Sequence, residues 1–584
     1  MTFTNRITKI IATLLLVLML GLAFFSMRGD SATMDELAHT PAGYSYITQK
    51  DMRLNPEHPP LLKDLAGLSV WLGSKITGKS IVFPKTTNWT EKLNGQWEFG
   101  RDLLYRNGND ADSIIFWGRL PMLLIMLILG IYVFKWAHEL YGNKAGLLAL
   151  FLYSLSPTFI AHGRYVTTDV GAAAAFFISI YYLVKWVNNQ NKKNLIIAGI
   201  VFGLALLTKF SLVLLIPYFV FIVMAWSLIN YNKDTKLPHF TAIVRSLAIP
   251  LISLFLIGII GMALIWPVYK FHILNYPETR QTFDTIANLG SYGNRLLADS
   301  VIWMSEKSIL RPYGQFFHGL LMVIQRSVGG NTTYFLGEIS RFGWRSYFPI
   351  VFSIKVPLVF LILILIAFLT SARNIKKLFK KENFAEFALL SFFILYWVMS
   401  IRSTLNIGVR HVLPIFPILY VLISGQIIKI KNKKLNIFLI IMLLWYAIGT
   451  IKIYPNFLTY FNEIAGGPEN GYKYAIDSNL DWGQDLRRLK NWIEKNNINK
   501  IYVEYFGGGD LNYYLDGKWQ TWWGERDPSE LPSDSWLAVS TTLIQGGRGI
   551  AAPNISNRTD YYEWLNDYEP VTVIGNSIFV YHIQ

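Results

Sequence analysis

Between Met34 and Gly67 the chain reads MDELAHTPAGYSYITQKDMRLNPEHPPLLKDLAG, directly behind its first apolar run. The stretch carries Asp35, Glu36, His39, Asp51, Arg53, Glu57, His58 and Lys63. A carboxylate placed there can take a proton from a nucleophile, and neighbouring cations can hold an anion. Asp35 and His39 are four residues apart, so in a helix they share one face. Pro56, Pro59 and Pro60 stiffen the backbone that presents Glu57 and His58. A second acid, Asp169 in HGRYVTTDVGAAAAFF, opens another apolar run, where the helix dipole favours an anion and where capping by Thr167 or Thr168 is the plainer role. Arg164, Lys209, Arg345, Lys355, Arg402, Arg410 and His411 supply cations at the same level of the chain. Lys209, with apolar sequence on both sides, is the one that solvation explains least. Arginine as a fork and lysine as a point charge suit a phosphate at headgroup depth.

These residues need elements to position them, and composition names the kind. Of 584 residues, 52% are hydrophobic and 16% charged, with runs such as PMLLIMLILGIYVF, so the chain is expected to be a polytopic α-helical membrane protein. Apolar length and flanking charge predict about eleven transmembrane helices, near 9–27, 114–135, 145–161, 170–187, 194–208, 210–231, 245–268, 348–370, 386–401, 409–427 and 435–453. The first reads as a retained signal anchor. Basic loops containing Lys135, Lys144, Lys185, Lys192, Lys193, Lys233, Lys236, Arg373, Lys376, Lys377, Lys429 and Lys431 fix the topology in an integral cell membrane protein, with the N-terminus cytoplasmic and the C-terminus outside. The net charge of +16 is thus a matter of topology and not of nucleic acid binding. There is no cysteine, which removes disulfides, thiolate nucleophiles and Cys-ligated metals together.

On this reading residues 1–453 form the transmembrane catalytic domain, with a first extracytoplasmic loop at 28–113 and a large one at 271–347. Residues 454–584 are long enough to hold their own core. DLRRLKNWIEKNN has amphipathic helical spacing, and KIYVEYF, WLAVSTT and VTVIGNSIFVYH read as strands, which predicts a small extracytoplasmic α/β domain.

MDELAHTPAGYSYITQKDMRLNPEHPPLLKDLAGL, together with AHGRYVTTD, GGNTTYFLGEISRFGWRSYFPIVFSIKVPL, VRHVLPIFP and YPNFLTYFNEIAGGPENGYKYAIDSNLDWGQDL, resembles the prokaryotic branch of glycosyltransferase family 39. These are GT-C membrane enzymes related to protein O-mannosyltransferases and to the aminoarabinose transferase that modifies lipid A. The resemblance implies a GT-C fold, a polyprenyl-phosphate-linked sugar as donor, a protein, glycan or lipid acceptor at the outer membrane face, and hexosyl or pentosyl transfer. It implies catalytic roles for Asp35, Glu36 and Asp169, with Asp35 as base. His58 stands where the aminoarabinose transferase carries a phosphate-associated lysine.

The residue types agree. A sugar phosphate already has a good leaving group, so one carboxylate base and a cation clamp are enough, and a single displacement inverts the anomeric centre. Arg53, His58, Lys63, Lys209 and Arg410 are the candidates for the donor phosphate. A divalent cation bridging Asp35 and Asp169 remains an open alternative for the cofactor. The rival function is a transporter or flippase of polyprenyl-linked glycan or lipid, which calls for acids near the midplane, whereas here the spans are nearly free of them.

Overall fold

Uninterrupted apolar sequence in a bilayer becomes helix, because the backbone polar groups must be satisfied within the segment. The computed structural model describes residues 4–230, 239–372, 375–553, 555 and 561–584. Among the described residues seven helices are long and apolar enough to cross a membrane. They are Asn5–Met27, Ala111–Tyr141, Asp169–Asn188, Phe210–Ile229, Ser246–His272, Lys381–Arg402 and Lys433–Lys452. Two more candidates are bent pairs, Asn143–Ser154 with Pro157–Gly163 (60°) and Tyr347–Lys355 with Leu358–Ser371 (112°), which raise the count to nine if each is one span.

The expected eleven is therefore corrected to between seven and nine. Proline explains the bends, since Pro157 and Pro357 lack the amide that would continue each helix. The two other expected spans are short: 194–208 gives the helix Lys192–Leu206 of 15 residues, and 409–427 gives Ile415–Ile427 of 13. At 1.5 Å per residue these reach roughly 20 Å, short of a hydrocarbon core of about 30 Å. The first ends because Lys209 is fully extended, with φ −156° and ψ 140°. The second starts late because Val409–Val412 forms a 3-10 turn before Pro414. Both breaks carry a cation. Lys233, Lys236 and Arg373 lie outside the described residues.

The segment after the first span turns through residues 28–33 and enters the helix Met34–Gln49. Thr33 and Glu36 form a capping box at its start, so the local sequence TMDE sets where the helix begins. The next helix, Leu61–Thr77, crosses it closely. A Cβ on Gly43 would meet the Lys63 carbonyl at 2.0 Å, and one on Gly67 would meet that of Gly43 at 2.1 Å.

The C-terminal region is β-containing. Its five-stranded sheet has the order Trp519–Thr521, Ile501–Glu504, Ser535–Ser540, Ile578–Ile583, Thr572–Ile574. The first three strands run parallel and the remaining pairings are antiparallel. Period-two alternation gives the sheet two apolar faces. Leu486, Leu489 and Ile493 of the helix Leu486–Lys495 pack with Ile501, Val503, Ala538 and Val580 on one face, and Tyr502, Leu537, Val539 and Tyr581 meet Trp522 and Tyr562 on the other. This region is bonded to the rest of the chain. Ser31 and Met34 donate backbone amides to the carbonyls of Gln484 and Trp482, both at 3.0 Å. Glu338–Ser340 pairs with Ile550–Ala551 in parallel.

Candidate functional site

Asp35 is the second residue of Met34–Gln49, and Asp169 is the first of Asp169–Asn188. Two helix N-termini thus present carboxylates, a position where the dipole favours the ionised form. The breaks beside the two short helices, Lys192–Leu206 and Ile415–Ile427, supply the matching cations. Arg410 Nη1 donates to Asp35 Oδ2 at 2.5 Å and lies 3.4 Å from Asp169 Oδ2. Lys209 Nζ donates to Asp169 Oδ1 at 2.6 Å. Arg410 packs its guanidinium on the Trp482 ring, 4.3 Å from the centroid, and its Nε is buried without a hydrogen-bond partner. Asp35 keeps 24% of its side chain exposed and Lys209 20%, so both can be reached from outside, whereas Asp169 at 3% cannot. Burial raises the Asp35 carboxyl, but Arg410 and His39 outweigh it and hold the group below the usual carboxylate value. A lone aspartate in water would not be held this way.

The resemblance implied a catalytic role for Glu36 beside Asp35, and the structure places Glu36 in a buried ion pair. Glu36 Oε1 accepts from Arg119 Nε (2.8 Å) and the Val166 amide (3.1 Å), and Oε2 accepts from Arg119 Nη2 (2.7 Å), the Thr33 amide (2.9 Å) and the Thr33 hydroxyl (3.1 Å). A carboxylate offers about four lone-pair sites, so none is open to substrate. Arg119 also reaches the carbonyls of Met27, Asp30 and Ser31, which fixes the turn that delivers Asp35.

Three expected phosphate contacts are likewise engaged elsewhere. Lys63 is buried, and its Nζ donates to Tyr46 Oη (2.9 Å), to Asn55 O and Oδ1 (2.8 Å each) and to His58 O (2.8 Å). It organises the Asn55–His58 turn from within. Burial lowers its ammonium to about 7 despite Glu57 and Asp64. Arg53 is paired with Asp51 at 2.5 Å and stacks on Trp89 at 4.4 Å. His58 lies against His39, with ring centroids 4.9 Å apart, and burial pushes it well below the usual histidine range, so it is neutral. Arg164 is consumed by Asp30 at 3.1 Å, and Lys355 by the carbonyls of Leu458 and Asn479 at 2.8 and 2.6 Å. Arg345 and Arg402 are exposed.

Some residues at the site were not singled out from the sequence. Trp482 and Asp477 come from the C-terminal region, and Arg326, exposed near the end of Arg311–Gly329, acts electrostatically on both His58 and His411. The sequence did hold a signal for the first two, in the acid-rich turn sequence AIDSNLDWGQDL. As for a metal, an ion bridging Asp35 and Asp169 would have to displace Arg410 Nη1, which already lies between them.

Fold and site together define a polytopic α-helical membrane protein with a small β-containing C-terminal domain and a paired-charge cluster where the two meet. Residues 111–257, roughly a quarter of the chain, match the family model described as dolichyl-phosphate-mannose-protein mannosyltransferase. That segment contains Asp169 and Lys209. Among solved structures the chain is similar to ArnT from Cupriavidus metallidurans bound to undecaprenyl phosphate, with 13% identity, a TM-score of 0.43 and 97% of each chain covered. It is also similar to the Archaeoglobus fulgidus oligosaccharyltransferase in the apo form, with 13% identity, a TM-score of 0.46, and 85% of this chain and 59% of that one covered. No curated protein matches the chain.

Proposed function

We propose that the protein is an inverting glycosyltransferase that moves a sugar from a polyprenyl-phosphate donor to a hydroxyl or amine of a protein, glycan or lipid acceptor at the outer face of the membrane. The observation that carries this reading is the single guanidinium of Arg410 joining Asp35 and Asp169, with Lys209 on the far carboxylate. The family model matched over residues 111–257 supports the donor class.

In this mechanism Asp35, ionised and partly exposed, removes the proton from the acceptor as its oxygen or nitrogen bonds to the anomeric carbon. The bond from that carbon to the phosphate oxygen breaks with its electron pair on the phosphate. No general acid is needed, because the leaving group is already an anion of modest basicity. Arg410 and Lys209, both largely buried, meet the charge that grows there, and Arg326 adds a weaker, solvent-screened attraction from its exposed position. Asp169 holds Arg410 and Lys209 in register. Glu36, through Arg119, holds the turn that sets the position of Asp35. Arg53, Lys63 and His58 act one layer back, by keeping the Asp51–His58 segment in shape.

Incubating the purified protein in lipid nanodiscs with a panel of polyprenyl-phosphate sugars tests this. One donor is consumed, and the product carries the opposite anomeric configuration by NMR. Failure to consume any donor, together with demonstrated movement of a polyprenyl-linked solute across the bilayer, supports a transporter instead.

A further inference from the structure

The sequence DWGQDL, residues 481–486, forms a tight turn that leads into the helix Leu486–Lys495. Gly483 has φ +92°, a conformation open to glycine, and a Cβ there would meet Gly507 Cα at 2.3 Å. The turn therefore sits directly on the loop that follows the strand Ile501–Glu504, and Tyr505 Oη donates to Gly483 O at 2.5 Å to hold it. Trp482 leaves this turn fully buried, its ring edge-on to His162 and Tyr165 with centroids 6.0 and 6.1 Å away. It touches both Arg410 and the residue before Asp35. Its carbonyl accepts the Met34 amide at 3.0 Å, which is the first amide of the helix Met34–Gln49 and has no acceptor within that helix. Its indole face lies 4.3 Å from the Arg410 guanidinium.

Both carboxylates contact Arg410 through Nη1 alone, Asp35 at 2.5 Å and Asp169 at 3.4 Å. Contacts to one nitrogen fix a point and leave the guanidinium plane free to tilt about it. Among the described residues Nε and Nη2 have no hydrogen-bond partner, so no other bond sets that plane. A flat aromatic face does, because the attraction of a guanidinium to a ring is strongest when it lies over the ring and is shielded from water. We propose that Trp482 is a positioning residue for Arg410: its ring holds the guanidinium plane so that the unpartnered Nη2 is presented to the leaving phosphate of the donor. This rests on the donor reading given above. An arginine oriented before the ligand arrives engages a phosphate as a fork without first losing side-chain freedom. The C-terminal region thereby completes a site whose carboxylates and cations come from residues 35–410.

Binding of the product lipid reports this without an acceptor. Undecaprenyl monophosphate is titrated calorimetrically into the full-length protein in nanodiscs for wild type, Trp482→Leu, Trp482→Phe, Arg410→Ala and the double variant Trp482→Leu with Arg410→Ala. Every variant keeps the backbone carbonyl of residue 482, so the bond to Met34 has its acceptor and the ring alone is tested. Trp482→Leu is expected to weaken Kd about tenfold, and Trp482→Phe, which keeps a flat face, to stay within about threefold of wild type. The double variant is expected to bind within about twofold of Arg410→Ala, because the ring then has no guanidinium to hold. A ring that served packing alone would weaken both backgrounds alike. If Trp482→Leu does not fold, Trp482→Met replaces it. Equal Kd for wild type and Trp482→Leu, a Phe variant as weak as the Leu variant, or losses that multiply in the double variant each overturn the proposal. Absence of undecaprenyl monophosphate binding to wild type overturns the donor reading itself.

Discussion

Arg410 and Asp35 are 375 residues apart in sequence and 2.5 Å apart in the structure. One end of this contact sits on a helix N-terminus behind the first span, and the other on a turn where an apolar run is interrupted. Arg410→Ala is expected to lower kcat by about 10² to 10³, the usual effect of losing one donor to developing charge. Arg410→Lys should recover little of it, since lysine lacks the planar guanidinium that packs 4.3 Å from the Trp482 ring centroid and is held there between the two carboxylates. Single-turnover kinetics on folded variants reads the difference.

Lys63 is committed to four oxygens of its own chain. Lys63→Met should therefore lower the thermal midpoint, since buried acceptors left without a donor cost about 1 to 3 kcal/mol each. The donor KM of the folded fraction should stay within about twofold. A large rise in KM with unchanged stability would restore a direct phosphate role.

Glu36 and Arg119 form an ion pair with side chains 0% and 2% exposed. Glu36→Gln is expected to destabilise by about 3 to 5 kcal/mol, because it leaves a buried cation uncompensated. The double variant Glu36→Gln with Arg119→Met should regain part of that loss, which denaturation of all three proteins in matched detergent measures.

Asp477 also affects stability. Its carboxyl is raised above the unfolded value of 3.8, so the native state binds more protons between about pH 4 and pH 6. The stabilisation it provides is complete below about pH 4 and is lost as pH rises through about 6. Relative to wild type, Asp477→Asn should gain about 1 to 3 kcal/mol over that window and keep the gain at pH 7. Thermal midpoints of both proteins from pH 4 to pH 7.5 test the sign.

Much of the architecture was legible because it follows from local rules. Apolar length located the membrane spans, and period-two sequence located the strands at Ile501, Leu537 and Phe579. The span count was too high because apolar length alone counts 194–208 and 409–427 as spans, although their helices run only 15 and 13 residues, and it treats LSPTFI and IKVPLV as continuous helix, where Pro157 and Pro357 bend them. The four-residue spacing of Asp35 and His39 does fall in a helix. What the sequence could not decide was which charges in a dense loop find partners inside the protein. Glu36, Arg53 and Lys63 look like Asp35 when only spacing is known, and they differ from it through Arg119, Trp89 and Asn55, whose proximity is tertiary. Asp477, Trp482 and Arg326 reach the site across hundreds of residues, a relation that no window of sequence contains.

Asp35 as the base is the central claim. Single-turnover transfer from the consumed polyprenyl-phosphate sugar, compared for wild type and Asp35→Asn in nanodiscs, tests it most directly. The expected result is a rate lowered by about 10² to 10⁴ with donor binding intact, the range that a positioned base supplies. Transfer by folded Asp35→Asn at the wild-type rate would contradict the account.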